Sequence, residues 1–205
     1  MRYAFYFDQT RCMSCNSCSV SCKDWNQVNP GPVRWRKVAT YKADGGPVAM
    51  FNLAMSCNHC EDPACKNACS QNAIIKKDNG IVYVDRTKCI GLQLCITACP
   101  FAAPHIAEDK QEPEQKSTWT IAHPMQKCDM CMSRVEKGQK PVCVDACNGH
   151  ALDFGDYELL RSKYPDAVQL NSSDFPYAYA NNTTETGPSM LIKKRTRQLL
   201  INNGR

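Results

Sequence analysis

Cys12-Met-Ser-Cys15-Asn-Ser-Cys18-Ser-Val-Ser-Cys22 places three thiols two residues apart and a fourth after three more. Three further groups follow: Cys57, Cys60, Cys65 and Cys69; Cys89, Cys95 and Cys99, with Pro100 directly behind; and Cys128, Cys131, Cys143 and Cys147. Together they account for all 15 cysteines among 205 residues. An odd count argues against a closed disulfide framework. Thiols at two-residue gaps are also too crowded for ordinary bridges, which need a specific Cβ–Cβ separation.

The opening run is the one by which bacterial ferredoxins hold iron-sulfur clusters. Cys128-x2-Cys131 alone would suit a zinc ribbon, so a zinc-dependent interaction module is the alternative from a different class. The third group, set in step with the first, is missing one thiol. Cysteine would be expected where Leu92 stands.

Aromatic residues make up only 8% of the chain. Inorganic cores are therefore expected to replace part of the apolar core, with folding coupled to their insertion. The formal charge of +5 counts cysteine as neutral. With thiolates on iron-sulfur cores the loaded protein sits near about −3, so the basic balance gives no reason to expect nucleic-acid binding. The one positive run, Lys193, Lys194, Arg195 and Arg197, reads as a solvated tail or as a docking element for a partner or an anionic membrane surface. The first residues, Met1 to Phe7, carry no signal-peptide pattern, and no apolar window is long enough to span a membrane. Export on a signal of its own is not expected. Cluster assembly needs reduced thiols, so folding is expected in the cytoplasm.

The chain looks duplicated. Asp8-Gln-Thr10-Arg-Cys12 aligns with Asp85-Arg-Thr87-Lys-Cys89, each behind an apolar stretch of strand character, Tyr3 to Phe7 and Ile81 to Val84. Ala73-Ile74 follows Cys69 at the same offsets as Ala151-Leu152 follows Cys147. In each motif the close cysteines are expected on a tight loop and the last on a short helix. Residues 33–41 suggest a strand, 108–116 an exposed loop, and the cysteine-free tail beyond Gly155 a segment that wraps a surface rather than forming a core.

Cys57-Asn-His-Cys60-Glu-Asp-Pro-Ala-Cys65, Lys140-Pro-Val-Cys143-Val-Asp-Ala-Cys147 and Ala151-Leu-Asp-Phe-Gly155 resemble the four-cluster iron-sulfur subunits of molybdopterin oxidoreductases, most nearly the dimethyl sulfoxide reductase type. The likeness covers about residues 1 to 160. It implies an α+β fold of two ferredoxin-like modules. The outer module would span 1–50 and 106–160, the inner, inserted module 51–105, with a partner-wrapping tail over 161–205.

The spacing alone leaves three ways to pair four motifs. The resemblance implies one, joining the first with the fourth and the second with the third. Carried onto this chain, Cys12, Cys15, Cys18 and Cys147 would hold one 4Fe-4S cluster, and Cys128, Cys131, Cys143 and Cys22 a second. Cys57, Cys60, Cys65 and Cys99 would hold a third. Cys89, Cys95 and Cys69 remain. Leu92 cannot ligate iron, so that site is left with an open corner, a non-cysteine ligand or no cluster. The nitrate reductase branch, which also loses a cysteine in its third motif, implies a 3Fe-4S cluster.

The resemblance further implies an electron-transfer subunit without catalysis of its own. It would sit between a molybdopterin-containing catalytic subunit and a membrane anchor that reacts with quinone, attached to the membrane through its partners. A soluble molybdenum complex without an anchor is the alternative. No nucleophile with its base and no phosphate-cradling glycine loop is evident. His59, His105, His123 and His150, and Trp25, Trp35 and Trp119, are expected to serve packing, surface or partner contacts.

Overall fold

Strand β1, Tyr3–Asp8, is the centre of the fold because both of its faces are apolar and both find cover. In this computed structural model, which describes residues 1–42, 50–108, 111, 116–171 and 185–195, Phe5 and Phe7 point into the main core and Ala4 and Tyr6 into a second cluster. Both phenylalanines are essentially inaccessible, each stabilising the fold by about 1.5–3 kcal/mol.

Strand β6, Leu152–Asp156, pairs antiparallel with β1, Phe5 facing Phe154. On the other edge of β1 runs β8, Met190–Lys193, parallel and in register from Phe5 with Met190 to Asp8 with Lys193. The short β7, Val168–Gln169, closes the sheet in the order β6-β1-β8-β7. Helix α6, Tyr157–Lys163, lies over the second cluster through Tyr157 and Leu160. Its N-cap Asp156 accepts hydrogen bonds from the Glu158 and Leu159 N–H groups, and Arg161 and Lys163 complement its C-terminal end.

Two hairpins complete the sheet structure: β2, Lys37–Lys42, with β3, Met50–Met55, and β4, Ile74–Lys76, with β5, Val82–Val84. The helices of the cysteine segments are short. They are α1 (Ser17–Trp25), α2 (Ala64–Asn67), α3 (Leu94–Ala98), α4 (Met132–Val135) and α5 (Val142–Asp145). Helix α1 packs on α5 and α2 on α3.

Three expectations need correction. The tail is not simply a surface wrap, since Met190, Leu191 and Ile192 are buried and supply a strand beside β1. The Asn-, Ser-, Thr- and Pro-rich residues before it concealed that strand. The strand expected over 33–41 begins only at Lys37; just ahead of it the Arg36 carbonyl accepts from the Ser19 hydroxyl at 2.8 Å. In the 108–116 loop, Gln111 is buried against Gly31; 109–110, 112–115, 172–184 and 196–205, Arg197 included, lie outside the described residues.

Candidate iron-sulfur centres

Each cysteine loop turns at the same place. The second residue after the first cysteine has positive φ in all four motifs: Ser14 (59°), His59 (44°), Gly91 (79°) and Met130 (60°). Only Gly91 adopts that conformation without steric cost, so three loops are held there by their surroundings. Ser14 and Asn16 flank Cys15 at 59° and 60°, and Gly91 and Gln93 flank Leu92 at 79° and 59°. The backbone around Leu92 thus repeats the backbone around a cysteine.

The duplication extends upstream. Asp8 Oδ1 accepts from the Thr10 N–H and hydroxyl at 2.8 and 2.6 Å, and Asp85 Oδ1 accepts from those of Thr87 at 3.1 and 2.6 Å. Helix placement differs slightly from expectation. The third cysteine of the second and fourth motifs lies within the helix, but Cys69 and Cys147 fall just past its end, while Cys99 caps α3. Of the last cysteines of the four motifs, Cys22 alone lies inside its helix.

These loops bring distant thiols together. Cys12, Cys15, Cys18 and Cys147 line one cavity of ≈ 20 Å³. Cys69, Cys89 and Cys95 line another of ≈ 40 Å³ with Leu92, Ile106 and Met125. Cys57, Cys60, Cys65 and Cys99 act on one another electrostatically, as do Cys22, Cys131 and Cys143. Cys128 lies between groups, influenced by Cys22, Cys57 and Cys143. Among the described residues no three His, Cys, Asp or Glu side chains converge closely enough to hold a single metal ion.

The chemistry of these donors suits a polynuclear cationic core. Burial pushes the Cys22 and Cys60 thiols up to about 12 and those of Cys18, Cys95 and Cys131 up to about 11. Such thiols release their protons only to a compensating positive charge, as a metal core provides. Hydrogen-bond donors already surround the sulfurs. The Met125, Met130 and Ala151 N–H groups donate to Cys89, Cys128 and Cys147 Sγ at 3.3, 3.4 and 3.2 Å. The Thr186 hydroxyl donates to Cys60 Sγ at 3.1 Å. These contacts favour the anionic sulfur and tune a bound cluster. Cys15 is the exception to burial: it is exposed, and the Ser17 hydroxyl and N–H draw its thiol down.

The tail's part in the site was not foreseen. Glu61 and Asp62 N–H groups donate to the Gly187 and Thr186 carbonyls at 2.7 and 3.0 Å, tying the tail to the second motif. His59 is fully buried and accepts from the Val82 N–H at Nδ1, 2.9 Å. Burial first, then Lys127 and Arg36, keep it neutral. Of the tryptophans, Trp35 donates to Gln126 Oε1 at 2.7 Å, while Arg134 and Arg86 stack on Trp25 and Trp119. Arg36 and Lys127, both buried among thiols, carried no sequence signal beyond Lys127 preceding Cys128.

Residues 48–157 match the 4Fe-4S dicluster domain family. The chain is 37% identical over 201 residues to the B component of anaerobic dimethyl sulfoxide reductase from Escherichia coli, covering 94% of this chain and 88% of that one. It is similar at 34% to the B component of tetrathionate reductase from Salmonella typhimurium, over 79% of this chain and 61% of that one. With the iron-sulfur subunit of arsenate respiratory reductase from Shewanella it shares 28%, over 83% and 88%.

Proposed function

Because this protein belongs to the family of iron-sulfur subunits of the dimethyl sulfoxide reductase type, we propose that it relays single electrons between a molybdopterin-containing catalytic subunit and a quinone-reactive membrane anchor. The observation that carries this reading is the cysteine loop repeated four times with its positive-φ turn. Bound iron-sulfur clusters supply the redox chemistry, each taking up and passing on one electron. The chain's own groups position and insulate. Burial keeps eight of the fifteen cysteines from water, and N–H and hydroxyl donors stabilise the charge of the sulfurs they reach.

The ligand sets proposed are Cys12, Cys15, Cys18 and Cys147; Cys22, Cys128, Cys131 and Cys143; and Cys57, Cys60, Cys65 and Cys99, each for a 4Fe-4S cluster. Cys69, Cys89 and Cys95 are assigned a 3Fe-4S cluster. The shared cavities and mutual influence of these thiols support the sets. Pairing of β1 with β6 and of β4 with β5, together with the α1–α5 and α2–α3 contacts, supports an outer module of 1–50 and 106–160 around an inner one of 51–105. The outer module additionally takes up β8. No helix among the described residues is long and apolar enough to cross a membrane, so attachment is assigned to the anchor.

The test is anaerobic purification of the native complex with iron, sulfide and molybdenum analysis. About 15 iron per chain, co-purifying molybdenum and membrane retention after a salt wash are expected. Release of an intact molybdenum-containing complex by salt would replace the anchor with a soluble assembly. Zinc in place of iron would overturn the function itself.

A further inference from the structure

Arg36 and Lys127 are 1% exposed, and His59 beside them is 0% exposed. A cation withdrawn from water costs several kcal/mol unless it is compensated. Among the described residues neither forms an ion pair with a carboxylate. Arg36 donates to the Ala54 carbonyl at 3.1 Å and to Ser56 Oγ at 3.0 Å, its Nε has no partner, and its guanidinium lies 4.9 Å from the centre of the Phe5 ring. Lys127 Nζ donates to the Val82 carbonyl, to the Cys128 carbonyl at 3.0 Å and to Cys57 Sγ at 3.5 Å. Asp129 senses Lys127, but its carboxylate accepts from the Cys131 N–H at 2.8 Å.

The anions these cations face are therefore sulfurs. Arg36 is influenced by Cys143, Cys18, Cys128 and Cys22, which belong to the two outer ligand sets. Lys127 is influenced by Cys57, Cys65 and Cys128, which join the inner four-cysteine set to its outer neighbour. The three cysteines around Leu92 are not among the leading influences on either. Four thiolates on a cubane core leave a net charge of about −2 before reduction and about −3 after. A fixed, buried cation favours the more negative state and is little screened there.

We infer that Arg36 and Lys127 are permanent internal counter-cations that raise the reduction potentials of the three four-cysteine clusters, Lys127 acting where electrons cross between modules. This rests on the ligand sets proposed above. Both are tuning residues, neither ligates iron, and neither exchanges a proton in the step. One electron enters a core while the adjacent positive charge stays in place.

The experiment is a redox titration, followed by electron paramagnetic resonance, of the complete complex carrying Lys127→Met or Arg36→Met, with Lys127→Arg as control. Signals are assigned through a Cys→Ser change in each ligand set. Lys127→Met should lower the one-electron reduction equilibrium of the Cys57, Cys60, Cys65 and Cys99 cluster at least tenfold, about 59 mV. Arg36→Met should lower the outer pair similarly. The three-cysteine cluster should shift less than threefold in either variant, and Lys127→Arg should restore the native value. Native iron content with unchanged potentials, or equal shifts at all four sites, overturns the inference while leaving the electron-transfer function standing. If Met at 127 prevents cluster assembly, Lys127→Gln, which retains a donor for Val82, is titrated in its place. Loss of assembly in both, with retention in Lys127→Arg, assigns Lys127 a structural role and also overturns the inference. Absence of iron-sulfur signals from the native complex would instead sink the proposed function.

Discussion

Replacing Leu92 by cysteine tests the assignment of the altered site. The flanking backbone at Gly91 and Gln93 matches that around Cys15, so the new thiol is presented as Cys15 is. The leucine is 54% exposed. Removing its half-buried side chain therefore costs about 1 kcal/mol, too little to unfold a domain of this size. Leu92→Cys should take the chain from about 15 to about 16 iron. It should also abolish the oxidised-state paramagnetic signal of a three-iron core and leave the other three clusters unchanged. Iron analysis and electron paramagnetic resonance on anaerobically purified complex read both effects. A native chain that already contains about 16 iron and gives no oxidised signal, or a variant whose iron and signal do not move, refutes the three-iron assignment.

Gly149→Ala forces a Cβ to within 2.7 Å of the Arg11 carbonyl oxygen, so a loss of about 1–3 kcal/mol and depletion of iron beside Cys147 should appear in thermal melts and iron analysis. Thr186→Val removes the hydroxyl donor to Cys60 Sγ and should lower that cluster's potential by up to about 60 mV, the equivalent of about 1.4 kcal/mol. An unchanged potential would mean the contact does not tune it. Asp153 accepts from Lys140, Lys163 and Tyr164 at 2.7, 2.8 and 2.8 Å. Burial works against its ionisation, but those three partners outweigh it and hold the carboxyl well below the usual range. Its contribution is thus present above the unfolded value of about 4 and lost as pH falls through the lower folded value. Asp153→Asn should cost about 1–2 kcal/mol at pH 7, since both lysines are more than half exposed. Denaturant titrations should show the same deficit at pH 5 and a smaller one below about pH 4.

How much of this was legible in the sequence depends on the type of signal. The four cysteine motifs, proposed above as ligand sets, were visible as a pattern, because thiols at fixed spacing have few other uses. Strand β1 and the Asp-x-Thr turns ahead of the first and third motifs were visible because local chemistry fixes them. Arg36 and Lys127 were hidden, since basic side chains ordinarily face water and only tertiary proximity to sulfur reverses that preference. Strand β8 was hidden for another reason. Its four residues, Met190–Lys193, are too short for a pattern and follow a stretch of turn-forming composition.

The parallel pairing of β1 with β8 joins residues 5 to 8 with residues 190 to 193, almost the two ends of the described chain. A ribosome adding about 5–20 residues per second delivers the first four cysteines many seconds before the strand that completes their sheet. Those thiols wait in an unfinished chain, exposed to oxidation and to stray metals. Closing so long a loop also carries one of the larger entropic penalties available to a chain of this length. Maturation is therefore expected to await synthesis of Met190–Lys193 rather than to accompany that of the cysteine motifs. A chain truncated before Met190 should emerge with its cysteines intact and its sheet unable to close around them.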